Sequence, residues 1–164
     1  MALRKITEYP ARVLAQTGES VTNFDEDLRR LTEDMFETMY DDEGVGLAAN
    51  QIGISLRLFV MDCAEVKLVA ANPEILSLEG EQVGDEGCLS LGKVPAPVKR
   101  YETATLRAQD LKGEWFEMTA NGLAARCFQH EVDHCNGKLF IEHLTPLRRE
   151  MLVKRFRKLA KLKK

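Results

Sequence analysis

Gln129-His130-Glu131-Val132-Asp133-His134 is the stretch on which the reading of this 164-residue chain turns. It lies within residues 122–136, which hold no glycine or proline after Gly122 and stop at Asn136-Gly137, so one helix is predicted there. On a helix, imidazoles at i and i+4 share a face and can reach one metal ion, with Glu131 beside them. Leu123, Ala124, Cys127 and Phe128 make the helix apolar enough to be buried. The plainer alternative is a surface helix with two unconnected polar histidines. That buried character and a total of only three histidines weigh against it.

Outward from this helix, Leu28, Leu31, Met35 and Met39 recur at helical spacing over residues 25–40, with Asn23 or Asp25 available to cap the start. Two glycines near the start of Gly44-Val-Gly-Leu-Ala-Ala-Asn-Gln-Ile-Gly53 favour a tight loop. Leu56–Met61 reads as a buried strand, and further strands are predicted at 66–71, 79–83, 98–108 and 114–119, with a hairpin turn at Asp110-Leu-Lys-Gly113. The expected architecture is α+β, with antiparallel sheets packed around a central helix that carries the histidine pair, plus N-terminal and C-terminal helices.

The length and a 45% hydrophobic content suit one core. No leader-like start is seen, and no apolar run approaches the roughly 18 residues of a membrane span, so a soluble, unprocessed protein is expected. Cys63, Cys88, Cys127 and Cys135 read as thiols, since a chain of this size without a secretory signal needs no staples. Residues 147–164 hold nine of the 23 Lys and Arg and one acid, Glu150, for a net +8 against −11 in the remainder. We therefore divide the chain into a catalytic body, 1–146, and a basic terminal helix of the same domain, 147–164. On that helix Leu152, Phe156 and Leu159 form a stripe flanked by Met151 and Leu162, while the charge suggests an anionic partner.

A catalytic site of this type needs a third protein ligand and an open position. A third histidine spaced as in metzincins is absent, because Phe140 stands there. Cys127 shares the face of the pair but lies seven residues from His134, a rise of about 10.5 Å that bonds of about 2.0–2.3 Å cannot span. It is better placed to line a pocket. Cys135 is turned about 100° from His134 and reads as a packed thiol. Cys88, in Asp85-Glu86-Gly87-Cys88-Leu89-Ser90, remains, although a buried structural cysteine accounts for it equally well on composition.

Three segments in this order, Gly44-Val-Gly-Leu-Ala-Ala-Asn-Gln51, Glu86-Gly-Cys-Leu-Ser90 and Gln129-His-Glu-Val-Asp-His134, resemble the peptide deformylases. The likeness extends from Asp34-Met-Phe-Glu-Thr-Met-Tyr40 through Asn72-Pro73 to Gly137-Lys-Leu-Phe140. It implies hydrolysis of the N-formyl group of formyl-methionyl nascent peptides, with release of formate, in a bacterial cytosol. It implies that Cys88, His130 and His134 hold one divalent ion, by family habit Fe(II), with Zn(II), Co(II) or Ni(II) as substitutes. Glu131 then moves a proton from the attacking water to the departing amine, while the Gln51 amide and the Leu89 N–H steady the developing oxyanion. Glu86, Arg100 and Asp133 are the expected orienting partners. Val45 and Gly46 would pair with an extended peptide, and Val45, Leu123, Cys127 and His130 would line a methionine pocket. The resemblance further implies a ribosome contact through the basic helix. No DNA partner is expected.

Three positions depart from the family pattern. Arg126, one turn before His130, stands where an apolar pocket residue is expected. Either its stem packs while the guanidinium snorkels to solvent, or it alters side-chain preference beside the pocket. Gly92 replaces a common proline and Pro95 a basic, substrate-facing residue, which puts affinity for longer peptides in doubt. Two rival functions remain at this stage: a zincin-type endopeptidase with a third ligand downstream, at Glu142 or His143, and a binding module whose metal is structural and closed by four ligands.

Overall fold

The structure, a computed structural model, describes residues 2–162. Asp25 starts the first helix, α1 (Glu26–Asp41), by accepting the Leu28 N–H at 3.1 Å, and the helix buries Leu28, Met35 and Met39. After it come β1 (Gly46–Ala48), β2 (Leu58–Cys63) and β3 (Val66–Glu79). The next strands are β4 (Gln82–Glu86), β5 (Ala96–Arg100), β6 (Thr103–Gln109) and β7 (Trp115–Asn121), followed by helices α2 (Gly122–Cys135) and α3 (Pro146–Leu162). All pairings between these strands are antiparallel, in a five-stranded sheet of order β1-β2-β3-β6-β7 and a separate β4-β5 ribbon. The architecture is α+β, as expected.

The continuous apolar run of β2 is explained by burial on both faces. Phe59 and Met61 point to one side, where Ala124, Ala125, Phe128 and Val132 of α2 close the main core, together with Leu106 of β6. Leu58 and Val60 point to the other, against Leu28, Met35 and Met39 of α1. A third cluster joins Cys88, Leu91, Val94 and Val98 to Phe140, Ile141 and, on α3, Leu152, Val153 and Phe156. On α3 the buried stripe therefore runs through Val153 rather than Leu159, which is 36% exposed. Lys163 and Lys164 of the predicted basic tail lie outside the described residues, among which no helix is long and apolar enough to cross a membrane.

Three strand expectations need correction. The predicted strand 98–108 is two strands in two different sheets, β5 and β6, because the chain changes sheet at Tyr101 and Glu102. The side chain of Gln129 on α2 holds the crossing, accepting the Tyr101 N–H at 3.1 Å and donating to its carbonyl at 2.9 Å. Predicted strand 79–83 straddles the turn at Gly80, where φ is +69°, and β3 runs on past Pro73. It does so through an irregularity at Asn72, whose side chain pairs with both backbone groups of Val21. Short β1, opposite Phe59–Met61, falls within the segment predicted to be a loop.

Candidate active site

His130 and His134 lie one turn apart on α2, with ring centroids 4.9 Å apart. The ribbon strand β4 ends at Glu86, and two residues later Cys88 brings Sγ to 3.4 Å from His134 Nε2. One ligand atom from each of Cys88, His130 and His134 lies within 4.8 Å of the others. The remaining candidates are engaged elsewhere. Cys135 is packed in the main core, Glu142 caps the Leu139 N–H at 2.8 Å, and His143 Nε2 lies 2.9 Å from Asp133. Among the described residues no zincin-type third ligand downstream of His134 joins the pair, because Glu142 is committed to the Leu139 N–H and His143 to Asp133.

The donor set fits a divalent ion. A thiol and two imidazoles are a borderline-soft combination, and Glu131 Oε1, a buried oxygen of a residue that lines the same cavity, has no hydrogen-bond partner among the described residues. Around them runs a buried charge network. Glu86 Oε1 accepts from His130 Nδ1 at 2.9 Å, and both its oxygens accept from Arg100, at 2.8 and 2.9 Å. Arg100 Nη1 also donates to Asp133 at 2.7 Å. Burial favours the neutral form of Glu86, but the bonds from Arg100 and His130 outweigh it and hold the carboxyl well below the usual range. Glu131 goes the other way: burial is the largest influence and pushes its carboxyl up to about 7.

Comparison with known proteins settles the family. Residues 3–150 match the family model described as Polypeptide deformylase. The chain belongs to the peptide deformylase family. A peptide deformylase of Acidobacterium capsulatum is 49% identical to it over 166 residues, covering 98% of each chain. Among solved structures, a peptide deformylase from Legionella pneumophila superposes with a TM-score of 0.94 at 47% identity, covering 99% of this chain and 98% of the other. One from Thermotoga maritima gives 0.86 at 41% identity, covering 89% and 100%. This deformylase removes the formyl group from the formyl-methionine terminus of nascent peptides, releasing formate.

In the deformylase Cys88 and His130 line a cavity of about 260 Å³ whose walls also include Val45, Gly46, Gln51, Leu89, Leu123, Cys127 and Glu131, while His134 is fully buried behind them. Val45 and Leu123 stand exposed at its sides. Gln51 Oε1 is tied to the Ala48 N–H at 3.0 Å, which leaves Nε2 facing Cys88 Sγ at 3.4 Å and Ser90 Oγ at 3.3 Å. Leu89 is the first residue of a short helical turn, so its N–H has no acceptor within that turn. Gly46 abuts the site so closely that a Cβ built there would lie 2.6 Å from Glu131 Oε2.

Arg126 corrects the sequence reading. Its guanidinium does not reach solvent; the residue is 6% exposed, and Nη1 donates to Glu86 Oε2 at 2.7 Å. The reason is the β4-β5 ribbon, which covers that face of α2 and offers the Gly84 and Val98 carbonyls as acceptors. Gly92 has φ +62°, a conformation closed to the family's proline. Pattern reading missed Lys93, which lines the cavity and donates to the Asp42 carbonyl at 3.0 Å. It also missed Ser90, and it offered His143 only as a rival third ligand, whereas His143 Nε2 lies against Asp133 and Arg100. Nothing in the spacing of Lys93 or Ser90 singled them out, since both are brought in by the turn after Cys88.

Proposed function

We propose that Cys88, His130 and His134 hold one divalent ion, Fe(II) in the native enzyme, and that the residues around it share the work of deformylation. The observation that carries this reading is the meeting of Cys88 with the two histidines, at a cavity that Cys88, His130 and Glu131 line together. A bound ion supplies Lewis acidity toward water and the formyl carbonyl. Glu131, unpartnered at Oε1 and pushed up to about 7, is suited to take a proton from the attacking water near neutral pH and to deliver it to the departing amine. Gln51 Nε2 and the Leu89 N–H, from residues that line the cavity beside Cys88, orient the formyl oxygen, steadying its developing charge. Val45 and Gly46 pair with the extended peptide backbone. Leu123 and Cys127 give the methionine side chain soft apolar walls. Glu86, Arg100 and Asp133 orient His130.

The test is formate release from formyl-Met-Ala-Ser by protein prepared without oxygen and loaded with Fe(II) or Ni(II). Metal-dependent release without internal cleavage is expected. Glu131→Gln should lower the rate by about 10²–10⁴-fold at unchanged metal content. Full activity in that variant would remove Glu131 from the proton path. Exposure of the Fe(II) form to air should abolish activity through iron or thiolate oxidation, with Ni(II) less affected.

The enzyme is proposed to work in the cytosol, docked to ribosomes through α3, where Lys154, Arg155, Arg157, Lys158 and Lys161 are exposed. Binding should weaken steeply with salt. Reversal of Lys154, Arg155 and Lys158 to Glu leaves the buried stripe intact; ribosome cosedimentation at wild-type level in that variant would sink the contact.

A further inference from the structure

Glu86 serves three cationic or hydrogen-donating neighbours with two oxygens. Oε1 faces Arg100 Nη2 and His130 Nδ1, both at 2.9 Å, while Oε2 faces Arg100 Nε at 2.8 Å and Arg126 Nη1 at 2.7 Å. Arg100 has a second carboxylate, Asp133. Arg126 has none. Its other bonds go to neutral oxygens, the Val98 carbonyl at 3.0 Å and Gly84 O and Gln82 Oε1 at 3.2 Å, and its Nη2 is buried without a partner. So thinly compensated a buried charge is costly, and an apolar side chain would cover the same helix face at less expense.

The placement of those acceptors shows what the guanidinium accomplishes. Gln82, Gly84, Glu86 and Val98 all belong to the β4-β5 ribbon, whose first strand ends two residues before Cys88 and whose second begins eight residues after it. Arg126 belongs to α2, one turn before His130. One side chain thus fastens the segment that delivers the thiol to the helix that delivers both imidazoles. By occupying Oε2 it also leaves Oε1 turned toward His130 Nδ1, the bond that fixes the ring with Nε2 toward the site.

We propose that Arg126 is a positioning residue for the metal centre, acting through Glu86 on His130 and on the approach of Cys88. The inference rests on reading Cys88, His130 and His134 as the metal ligands. It is tested by Co(II) titration against a competing chelator, with the thiolate-to-Co(II) charge-transfer band recorded, for the full-length protein. Arg126→Met should weaken Co(II) binding by about 10–100-fold and shift the band. Glu86→Gln should do likewise, and in the double variant the two losses should combine to less than their product, because the arginine acts in part through that carboxylate. Binding by Arg126→Met within twofold of wild type, or losses that multiply in the double variant, would overturn the proposal.

Should Arg126→Met fail to fold, Arg126→Lys carries the same comparison. It keeps the charge but cannot join Glu86 to the two carbonyls, so an intermediate loss is expected and unchanged binding counts against the role. Cys88→Ala separates the two layers of argument. A charge-transfer band surviving in that variant would show that the metal reading itself is wrong, whatever Arg126 does.

Discussion

At the scale of single residues, Gly46 and Glu131 face each other in the cavity with no room for a side chain between them. The absence of a side chain at 46 lets Glu131 Oε2 and Cys127 Sγ come to within 2.6 and 3.0 Å of where a Cβ would stand. Gly46→Ala should therefore displace the Glu131 carboxylate and lower kcat about 100-fold, the usual penalty for a misplacement near 1 Å. Thermal stability should change little, since the affected wall is open cavity. The measurement is formate release beside a melting curve, and an active Ala variant would mean that the carboxylate has more latitude than its contacts suggest. Of the site residues, His130, Glu131 and His134 are legible in the sequence because helical spacing alone brings them together. Cys88 carries no such periodicity, and Arg126 reads as a surface charge because the ribbon that buries it comes from 82–100.

At the scale of elements, the extended N-terminal segment acts as a brace. The Thr7 N–H donates to the Gln51 carbonyl at 2.6 Å and the Tyr9 N–H to the Ser90 carbonyl at 2.9 Å, so one segment steadies both backbone stretches that carry Gln51 and Leu89. Its own anchor is Asp34 on α1, which accepts the Ala2 N–H at 2.8 Å and Arg4 Nε at 3.0 Å. Burial raises the Asp34 carboxyl, but these bonds and the Arg4 charge outweigh it and leave it below the usual aspartate value. A carboxylate lowered on folding stabilises fully above its unfolded pKa, near 4, and loses that contribution as pH falls through the folded value. Amide protection over residues 2–8 should accordingly be constant at neutral pH and decline below about pH 4. Asp34→Asn should show the low protection at every pH. Equal protection of variant and wild type at pH 7 would rule the anchor out.

At the scale of the whole molecule, α3 belongs to the catalytic structure as well as to the basic surface. Leu152, Val153 and Phe156 share a core with Cys88, Leu91 and Val94, and Phe156 packs against the turn at Gly92. Phe156→Ala should cost about 3–5 kcal/mol and, through that turn, loosen the Cys88 segment. Denaturant unfolding together with metal retention measures both, and a loss of stability without faster metal release would confine α3 to a structural part. The sequence by itself determined the α+β class, the three long helices, the histidine pair with its glutamate, and the family, since these rest on short-range periodicity and contiguous motifs. Only the tertiary structure decided that 98–108 divides between two sheets, that Arg126 turns inward, that Ser90 and Lys93 come to the site, and that His143 joins Arg100 and Asp133 instead of the histidine pair. Those outcomes depend on which distant segment covers a given face, and residues such as Gln129 and Glu86 settle them through hydrogen bonds spanning 28 to 44 positions of the chain.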